Sequence, residues 1–403
     1  MQGMRIRDLY SLESFGRLRL IAGADGLDNT VASCGLLDYE YDAAVKGKYY
    51  HTNFIADQLV LTSLLYAKDN PFLLDDAVKN LISRRCSGLI IKNVFKLPIH
   101  DSVIRFADSK NFPIFVIKDD AIFFEDLIYE ITDRIRRHSS IHHFGALADA
   151  ILGGGLGEKG LEAATAELNP AFLSSVACGF YYFREPLSPA DYLALAARAA
   201  GTLASSDRLF YYKNGIMAIH TGEMLTEPGA AAFWDSLAPV FGKTACRLGV
   251  SDIHHRLAGL RGAMLQAIHA ALLYPDPAAP RCLYASLGSF AAIIPHCRSA
   301  EMQAFSHRYL KPILDYDVEN NVKLYETILN FVLLGGEIDP TAAKLGQHKN
   351  TIRYRLDILN KIAGVNIFSR QGYETVAMAL RIHLCERALD CFGKPPYYWE
   401  ENI

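Results

Sequence analysis

The sequence predicts a multidomain protein in three parts: an N-terminal α/β part with a parallel sheet, a middle α/β part, and a C-terminal all-α part. Three observations predict it. The chain of 403 residues is too long for one ordinary core and suits two or three domains. Apolar runs alternate with helical patterns over about the first 120 residues. Two helical patterns joined by a glycine turn lie near the C-terminus, which is typical of a helix-turn-helix.

The composition is that of a folded protein, with 51% hydrophobic and 21% charged residues. Lys and Arg number 41 against 44 Asp and Glu, so the net charge is −3 and the chain is not a general polycation. Eight scattered cysteines form no Cys-x-x-Cys pair, which indicates buried free thiols. The N-terminus has no apolar core of signal-peptide length, and nowhere do 18 apolar residues run together. We therefore expect a cytoplasmic protein without a membrane partner.

The N-terminal part reads as strand, helix, strand, helix, strand. Its strand-like segments are continuous apolar runs, as expected of strands that are buried on both faces of a parallel sheet. The strands are predicted at 59–63, 88–92 and 114–117, and the helices at 73–85 and 99–111.

Polar residues finish these predicted strands. In open parallel sheets, ligands bind beyond the carboxyl ends of the strands. Thr62 and Ser63 end one strand, and Lys92 and Asn93 end the next, so these four are the candidate ligand-binding residues. The alternative is that they are ordinary helix caps and loop residues.

A connecting helix is predicted to follow, before a break of three glycines at 153–155. Its apolar residues form a heptad-like stripe, and they are Phe124, Ile128, Ile131 and Ile135. The helix either packs on its own domain or serves as a dimerising relay between domains. His138 and His142 stand four apart and could bind a metal from one helix face, but no cluster of further ligands accompanies them. We predict no metal site and no cofactor.

The middle part alternates helical and strand-like segments. Asn214 and Gly215 lie between two apolar runs, the strongest short signal for a β-hairpin, which we predict at 209–219. The other strands are predicted at 174–183 and 248–251, and the helices at 161–168, 189–204 and 257–273.

The C-terminal part contains the most informative stretch, 337–364. Asp339 followed by Pro340 predicts the N-cap and first residue of a short helix, which Gly346 ends. Thr341 occupies a place where this motif more often has an apolar residue. Further helices are predicted at 324–334 and 374–389, enough for a small independent domain.

A second helix of the motif is predicted to begin near His348 or Lys349. Ile352, Leu356 and Leu359 are spaced to form its buried face. Between Lys344 and Lys361 the chain carries five basic residues and one acidic residue, so a basic face is concentrated here although the whole chain is slightly acidic.

The exposed face of this helix is the candidate DNA-binding site. Recognition helices present their N-terminal residues to base edges, where Asn pairs with adenine and Arg or Lys with guanine, while other cations bind phosphate. Lys349, Asn350 and Arg353 are the expected base readers. The full predicted set is His348, Lys349, Asn350, Thr351, Arg353, Tyr354 and Arg355. The alternative is a charged face that is merely solvated or that serves protein contacts.

The stretch 343–356, Ala-Lys-Leu-Gly-Gln-His-Lys-Asn-Thr-Ile-Arg-Tyr-Arg-Leu, resembles the signature of the PucR-like family of bacterial transcription factors, which is related to the sugar-diacid regulators. Lys349 stands where the family usually has Arg. The N-terminal part resembles the family's ligand-sensing domain, with Gln-Leu-Val-Leu-Thr at 58–62, although Ser63 and Leu64 replace its second Thr and following Gly. The middle part resembles its degenerate GGDEF-like, cyclase-related domain.

The resemblance implies four segments, at 1–122 for the sensor, 123–152 for the connecting helix, 153–305 for the GGDEF-like domain and 306–403 for the helix-turn-helix domain. It implies a ligand-responsive regulator of a catabolic operon, controlled by a purine-derived or similar metabolite. The expected partners are double-stranded DNA, a small-molecule effector and a second copy of the chain, since two copies of a helix-turn-helix read paired half-sites. The alternative is a small-molecule-binding signalling or scaffold protein.

An enzyme is the other class to weigh, because an active cyclase of this type needs carboxylates for two metal ions after the first strand and in the hairpin. The corresponding stretches, 180–183 and 212–216, contain no acidic residue. We therefore expect no catalytic activity and no catalytic residues.

Overall fold

The computed structural model describes residues 4–38, 54–119, 121–242, 246–273, 279–320 and 322–393. The chain divides into two compact units, Met1–His143 and Phe144–Ile403. The boundary between them falls inside the long helix Phe124–Gly153.

The first unit contains a five-stranded sheet in the order β1-β5-β4-β3-β2. Its strands are β1 (Arg19–Ala22), β2 (Ser33–Leu36), β3 (Gln58–Thr62), β4 (Gly88–Ile91) and β5 (Ile114–Val116). Strands β2 to β5 are parallel, whereas β1 pairs antiparallel with β5. The prediction of a parallel sheet is therefore correct for the central strands, but the sheet as a whole is mixed.

Alternate residues of these strands enter two different cores. Val60 packs on one face with helices α2 (Leu73–Ser83) and α3 (Asp101–Ser109). Leu59 and Leu61 pack on the other face. Because successive side chains of a strand point to opposite faces, a continuous apolar run fills both layers. A short helix, α1 (Glu13–Gly16), contributes the buried Phe15 to the second layer.

The long helix, α4 (Phe124–Gly153), begins in that second layer. Leu127 and Ile131 are fully buried there, and Phe124, Ile128 and Ile135 pack against the same cluster. The heptad-like stripe is thus covered by its own unit, the first of the two predicted alternatives. The rings of His138 and His142 lie 4.6 Å apart, and burial together with His142 lowers the pKa of His138. Among the described residues, no group of three or more His, Cys, Asp or Glu could hold a metal ion.

The second unit contains a five-stranded sheet in the order β10-β9-β6-β8-β7. Its strands are β6 (Ser175–Phe183), β7 (Arg208–Tyr212), β8 (Gly215–Gly222), β9 (Cys246–Val250) and β10 (Cys282–Leu283). Strand β8 pairs antiparallel with β7 and with β6, and β6 pairs antiparallel with β9. Strand β10 runs parallel to β9. The predicted hairpin is confirmed, but Gly215 is the first residue of β8 and the tip is formed by Lys213, at φ 51°, and Asn214.

Helices cover both faces of this sheet. On one face, Tyr181 stacks on Phe241 with ring centroids 3.8 Å apart, and Trp234 lies against Gly179, both from helix α7 (Glu227–Phe241). On the other face lies helix α8 (Leu260–Leu273). The remaining helices of this region are α5 (Glu158–Leu168), α6 (Pro189–Ala199) and α9 (Ser289–Ile293).

The C-terminal region is helical. Its helices are α10 (Ala300–Asn320), α11 (Leu324–Leu333), α12 (Ile338–Leu345), α13 (Lys349–Ala363) and α14 (Arg370–Asp390). They enclose a core of their own, to which α14 contributes Val376, Leu380 and Leu384. No described helix is long and apolar enough to cross a membrane. All eight cysteines are free, and five of them are buried.

Candidate nucleic-acid interface and sensor site

Helices α12 and α13 form the helix-turn-helix. Helix α12 begins at Ile338 with Glu337 as its N-cap, so the prediction that Asp339 is the N-cap is wrong by two positions. Asp339 instead lies in the first turn, where a negative charge is favourable next to the helix N-terminus. Gly346 ends the helix at φ 60°, a conformation that glycine adopts without strain.

Thr341 is accommodated in the core of the motif without an unsatisfied hydroxyl. It is fully buried, and its Oγ1 donates a hydrogen bond of 2.6 Å to the carbonyl oxygen of Glu337. The hydroxyl is thereby satisfied within its own helix. This explains how a polar residue occupies a position that is commonly apolar.

Helix α13 begins at Lys349, and His348 is its N-cap. Nδ1 of His348 accepts a hydrogen bond of 3.2 Å from the backbone N–H of Asn350. An accepting Nδ1 carries no proton, so the neutral ring has its proton on Nε2. The exposed ring of His348 therefore stabilises the first turn of the helix and still offers one N–H donor.

The two sides of α13 are chemically distinct. Ile352, Leu356 and Leu359 are buried, as their spacing predicted. Most of the predicted DNA-binding residues are exposed, and they are His348, Lys349, Asn350, Arg353 and Tyr354. Fifteen residues make a helix about 22 Å long, and a helix of this kind fits the major groove of DNA.

Thr351 and Arg355 differ from the other predicted DNA-binding residues because both are half-buried. Nη1 of Arg355 donates a hydrogen bond of 3.1 Å to Oγ1 of Thr327 on α11. Residues two apart on a helix do not share a face, so Arg353 and Arg355 start from different sides of α13. Helical spacing alone could have revealed this separation.

Asp317 fixes the start of α11, and sequence reasoning did not single it out as a capping residue. Its two carboxylate oxygens accept hydrogen bonds of 2.8 Å from the backbone N–H groups of Leu324 and Tyr325. A carboxylate at a helix N-terminus satisfies orphan donors and interacts favourably with the helix dipole. The end of α10 and the beginning of α11 are thereby held together.

The carboxyl ends of β3 and β4 bring Thr62, Ser63 and Lys92 close together, since the backbone N–H of Lys92 donates to the carbonyl of Thr62 at 2.9 Å. Asp38, which follows β2, lies at the same edge and was missed by sequence reasoning. Its Oδ1 accepts from Oγ1 of Thr62 at 3.2 Å, and from the Oγ and backbone N–H of Ser63 at 2.8 and 3.0 Å.

Lys92 and Asn93 are engaged in different ways. Nζ of Lys92 donates to the carbonyl oxygen of Ile122 at 2.7 Å and lies 4.8 Å from the ring centroid of Phe123. The side chain of Asn93 is bonded to both backbone groups of Leu97, at 2.8 and 2.9 Å. Asn93 therefore stabilises its own loop, as the alternative of an ordinary loop residue predicts.

Leu64 adopts a left-handed conformation, with φ 62°, and is buried. The PucR-like pattern that the N-terminal part resembles has glycine at this position. A non-glycine residue in this region of backbone space costs about 1 kcal/mol or more. The backbone turn that glycine favours is thus kept in this chain by the burial of the leucine side chain.

The tip of the hairpin is hydrogen-bonded to the end of β6. Asn214 is buried, and its Nδ2 donates to the carbonyl oxygen of Phe183 at 2.7 Å. The carbonyl at the end of the first strand of this sheet is therefore occupied by a neutral side chain of the hairpin.

Comparison with known proteins finds matches at both ends of the chain. Residues 8–135 match the purine catabolism regulatory protein-like family, and residues 324–382 match the PucR C-terminal helix-turn-helix domain. This chain carries two domains of the PucR family. The resemblance predicted from the sequence is confirmed, and the second match covers α11, α12 and α13 with the first part of α14.

Individual relatives cover different shares of the chain. A purine catabolism regulatory protein of Bacillus subtilis (strain 168) is 31% identical over 112 residues, 28% of this chain and 20% of that protein. The chain thus spans about a fifth of the length of that relative. The crystal structure of a regulator of polyketide synthase expression from Bifidobacterium adolescentis aligns with 60% of this chain and 97% of its own, at 15% identity and a TM-score of 0.30.

Proposed function

We propose that this PucR-type chain is a ligand-responsive, sequence-specific DNA-binding transcriptional regulator. The observation that carries the proposal is the set of exposed basic residues on α13, outside the buried apolar stripe by which this helix packs within a helix-turn-helix. It acts in the cytoplasm and controls a catabolic operon for a purine-derived or similar small metabolite.

Lys349, Asn350 and Arg353 read base edges in the major groove. Lys and Arg match the acceptors of guanine, and the Asn amide matches adenine. His348 and Tyr354, exposed beside them, and Thr351, in the first turn, contact the backbone of the DNA and fix the register of the helix. Two copies of the chain place two such helices on half-sites about 34 Å apart.

The effector binds at the carboxyl edge of the first sheet. Thr62, Ser63 and Lys92 lie together there, with Asp38 as a fourth polar residue. Ligands of open parallel sheets bind at this edge. The effector acts by binding one arrangement of the chain better than another, which is the only way that a ligand can shift such an equilibrium.

The middle region serves as a catalytically inert, GGDEF-like interaction domain. The proposed segments are the sensor at 1–122, the connecting helix at 123–152, the GGDEF-like domain at 153–305 and the helix-turn-helix domain at 306–403. The hairpin residues 212–216, where a cyclase of this type would need a metal-binding carboxylate, contain no acidic residue. No cyclic dinucleotide should form when the purified chain is given GTP and Mg²⁺.

A binding experiment tests the proposal. Duplexes are selected from a random-sequence 30-bp library with the full chain, and their dissociation constants are measured at several salt concentrations. Lys349→Ala and Arg353→Ala should each weaken binding about tenfold or more and relax the preference for the base pair that the residue contacts. Lys311→Ala is the matched control, because Lys311 is an exposed lysine on α10 that pairs with Asp315.

The selection also separates the proposal from the scaffold alternative. A scaffold protein whose helix-turn-helix serves protein contacts would enrich no sequence, and its weak binding to any duplex would not respond to Arg353→Ala. That result would refute DNA recognition by α13.

A further inference from the structure

Arg355 belongs to the sequence signature that suggested DNA binding, yet the structure places it apart from the other members. We infer that Arg355 is a positioning residue, which sets the orientation of α13 through Thr327 on α11 and does not contact DNA. The inference rests on the proposed function, because it concerns how the same helix is presented to DNA.

The first support is the geometry of α13. Consecutive residues of an α-helix are about 100° apart around its axis, so Arg353 and Arg355 differ by about 200°. Arg353 is exposed on one flank of the buried stripe, whereas Arg355 is half-buried on the other flank. A helix that turns Arg353 into the major groove therefore turns the root of Arg355 towards the body of its own domain.

The second support is the state of the Thr327 hydroxyl. Thr327 is buried, and its Oγ1 donates its single proton to the carbonyl oxygen of Lys323 at 2.7 Å. Only the lone pairs of Oγ1 remain for a further partner. Nη1 of Arg355, at 3.1 Å, is a donor and fills that role. The two hydrogen bonds are mutually compatible, so Thr327 links the first turn of α11 to the middle of α13.

The third support is that the other contacts between α13 and its domain are not directional. The buried side of α13 is held by apolar packing of Ile352, Leu356 and Leu359, which is not directional. A hydrogen bond from a planar guanidinium to a fixed hydroxyl is directional. The Arg355–Thr327 bond therefore selects one rotation of α13 about its axis, and this rotation decides where Lys349, Asn350 and Arg353 point.

The test uses the full chain and the duplex selected from the random library by the wild type. Thr327→Val removes the hydroxyl and changes no charge, Thr327→Ser keeps the hydroxyl, and Arg355→Met removes the donor. Arg353→Met is the matched comparison for an arginine that contacts DNA. Affinity is measured at 25 °C over a range of salt concentrations, and the urea midpoint shows that each variant is folded under those conditions.

We expect Thr327→Val and Arg355→Met each to weaken binding about tenfold, the effect of one hydrogen bond to a charged group. The slope of log affinity against log salt should stay at the wild-type value, and the double variant should bind no worse than either single variant. Thr327→Ser should bind like the wild type. Arg353→Met should relax the preference for one base pair, measured on single-base-pair variants of the selected duplex, as expected when a base contact is lost.

Two results would overturn the inference alone. One is a salt slope reduced by about 1, or a relaxed base-pair preference, in Arg355→Met, which would make Arg355 a direct contact to phosphate or to a base. The other is wild-type affinity of folded Thr327→Val, which would make the bond merely structural. If the wild type itself enriches no duplex, the proposed function fails and the inference fails with it.

Discussion

Ile382 and Leu384, two residues apart on α14, are buried in different hydrophobic cores. Ile382 belongs to the core that contains the sheet of β6 to β10, with Cys385 and Ala388. Leu384 belongs to the core of the helix-turn-helix, with Leu380. The two cores therefore share one helix.

The shared helix predicts that both cores lose stability together. Ile382→Ala should lower the free energy of unfolding by about 2–4 kcal/mol, the usual range for a large-to-small change in a core. Amide hydrogen exchange should accelerate in α13 as well as in β6, although only β6 belongs to the mutated core. Thr375→Ala is the control, since Thr375 is a polar residue of the same helix that bonds its own backbone. Faster exchange confined to β6 would contradict the prediction.

The turn of the helix-turn-helix predicts a cost for any side chain at Gly346. A Cβ added there meets no atom within 4 Å, so Gly346→Ala introduces only the strain of a positive φ. We expect a loss of about 1 kcal/mol in the free energy of unfolding. Gly145 is also free of neighbours within 4 Å but lies inside α4, so Gly145→Ala should stabilise by up to about 1 kcal/mol. Urea denaturation of the two variants should show shifts of opposite sign.

Local patterns predicted the elements that carry them. The buried stripe of Ile352, Leu356 and Leu359 and the strands around Val60 and Ile90 follow from spacing and apolar runs. These signals need only neighbours in the sequence, and the structure confirms them. The helical spacing of Arg353 and Arg355 is equally local, and it places them on different sides of α13 although both belong to one sequence signature.

The features that sequence reasoning missed depend on contacts between distant segments. Strand β1 has four residues, and its antiparallel partner β5 lies far along the chain. Strand β2 contains Gly35 and no apolar run, so Asp38 was not recognised as the residue that follows a strand. The sequence predicts Gly215 in the hairpin turn, but the residue is needed in β8, where a Cβ would lie 2.2 Å from the Phe180 ring.

His383 predicts that stability falls in mild acid. Burial, with smaller effects from Arg387 and His307, lowers its pKa to about 4. The folded chain thus favours the neutral ring, and its contribution to stability is complete above 6.5, the ordinary pKa of histidine, and is lost as the pH falls towards 4. His383→Gln should flatten the dependence of the unfolding free energy on pH in this window, by on the order of 2 kcal/mol after allowance for solvent screening.

The control for this prediction is His255→Gln, because His255 is an exposed histidine of the same unit. The dependence on pH is measured for the two variants and the wild type under the same conditions. An unchanged slope in His383→Gln would show that another group causes the acid sensitivity.

The polar cluster at the first sheet predicts that ligand response and DNA binding can be separated. Ser63→Ala removes the 2.8 Å bond to Asp38, and Thr62→Val removes the 3.2 Å bond and leaves a methyl group in its place. We expect Ser63→Ala to lose about 1 kcal/mol of stability, and Thr62→Val about 1–3 kcal/mol because it also leaves the buried N–H of Leu64 without its acceptor. Both variants should keep their affinity for the selected duplex. In a thermal-shift screen of purine-derived metabolites, a compound that raises the Tm of the wild type should raise that of either variant much less.

Ser102→Ala is the matched control for the ligand screen. Oγ of Ser102 also bonds a carboxylate, that of Asp75, at 3.1 Å, but it lies on α3 and not at the carboxyl edge of the sheet. Its removal should leave the ligand-induced rise in Tm intact. Equal rises in the wild type, Ser63→Ala, Thr62→Val and Ser102→Ala would mean that the effector binds elsewhere, because a ligand that gains free energy from these hydroxyls cannot be indifferent to their loss.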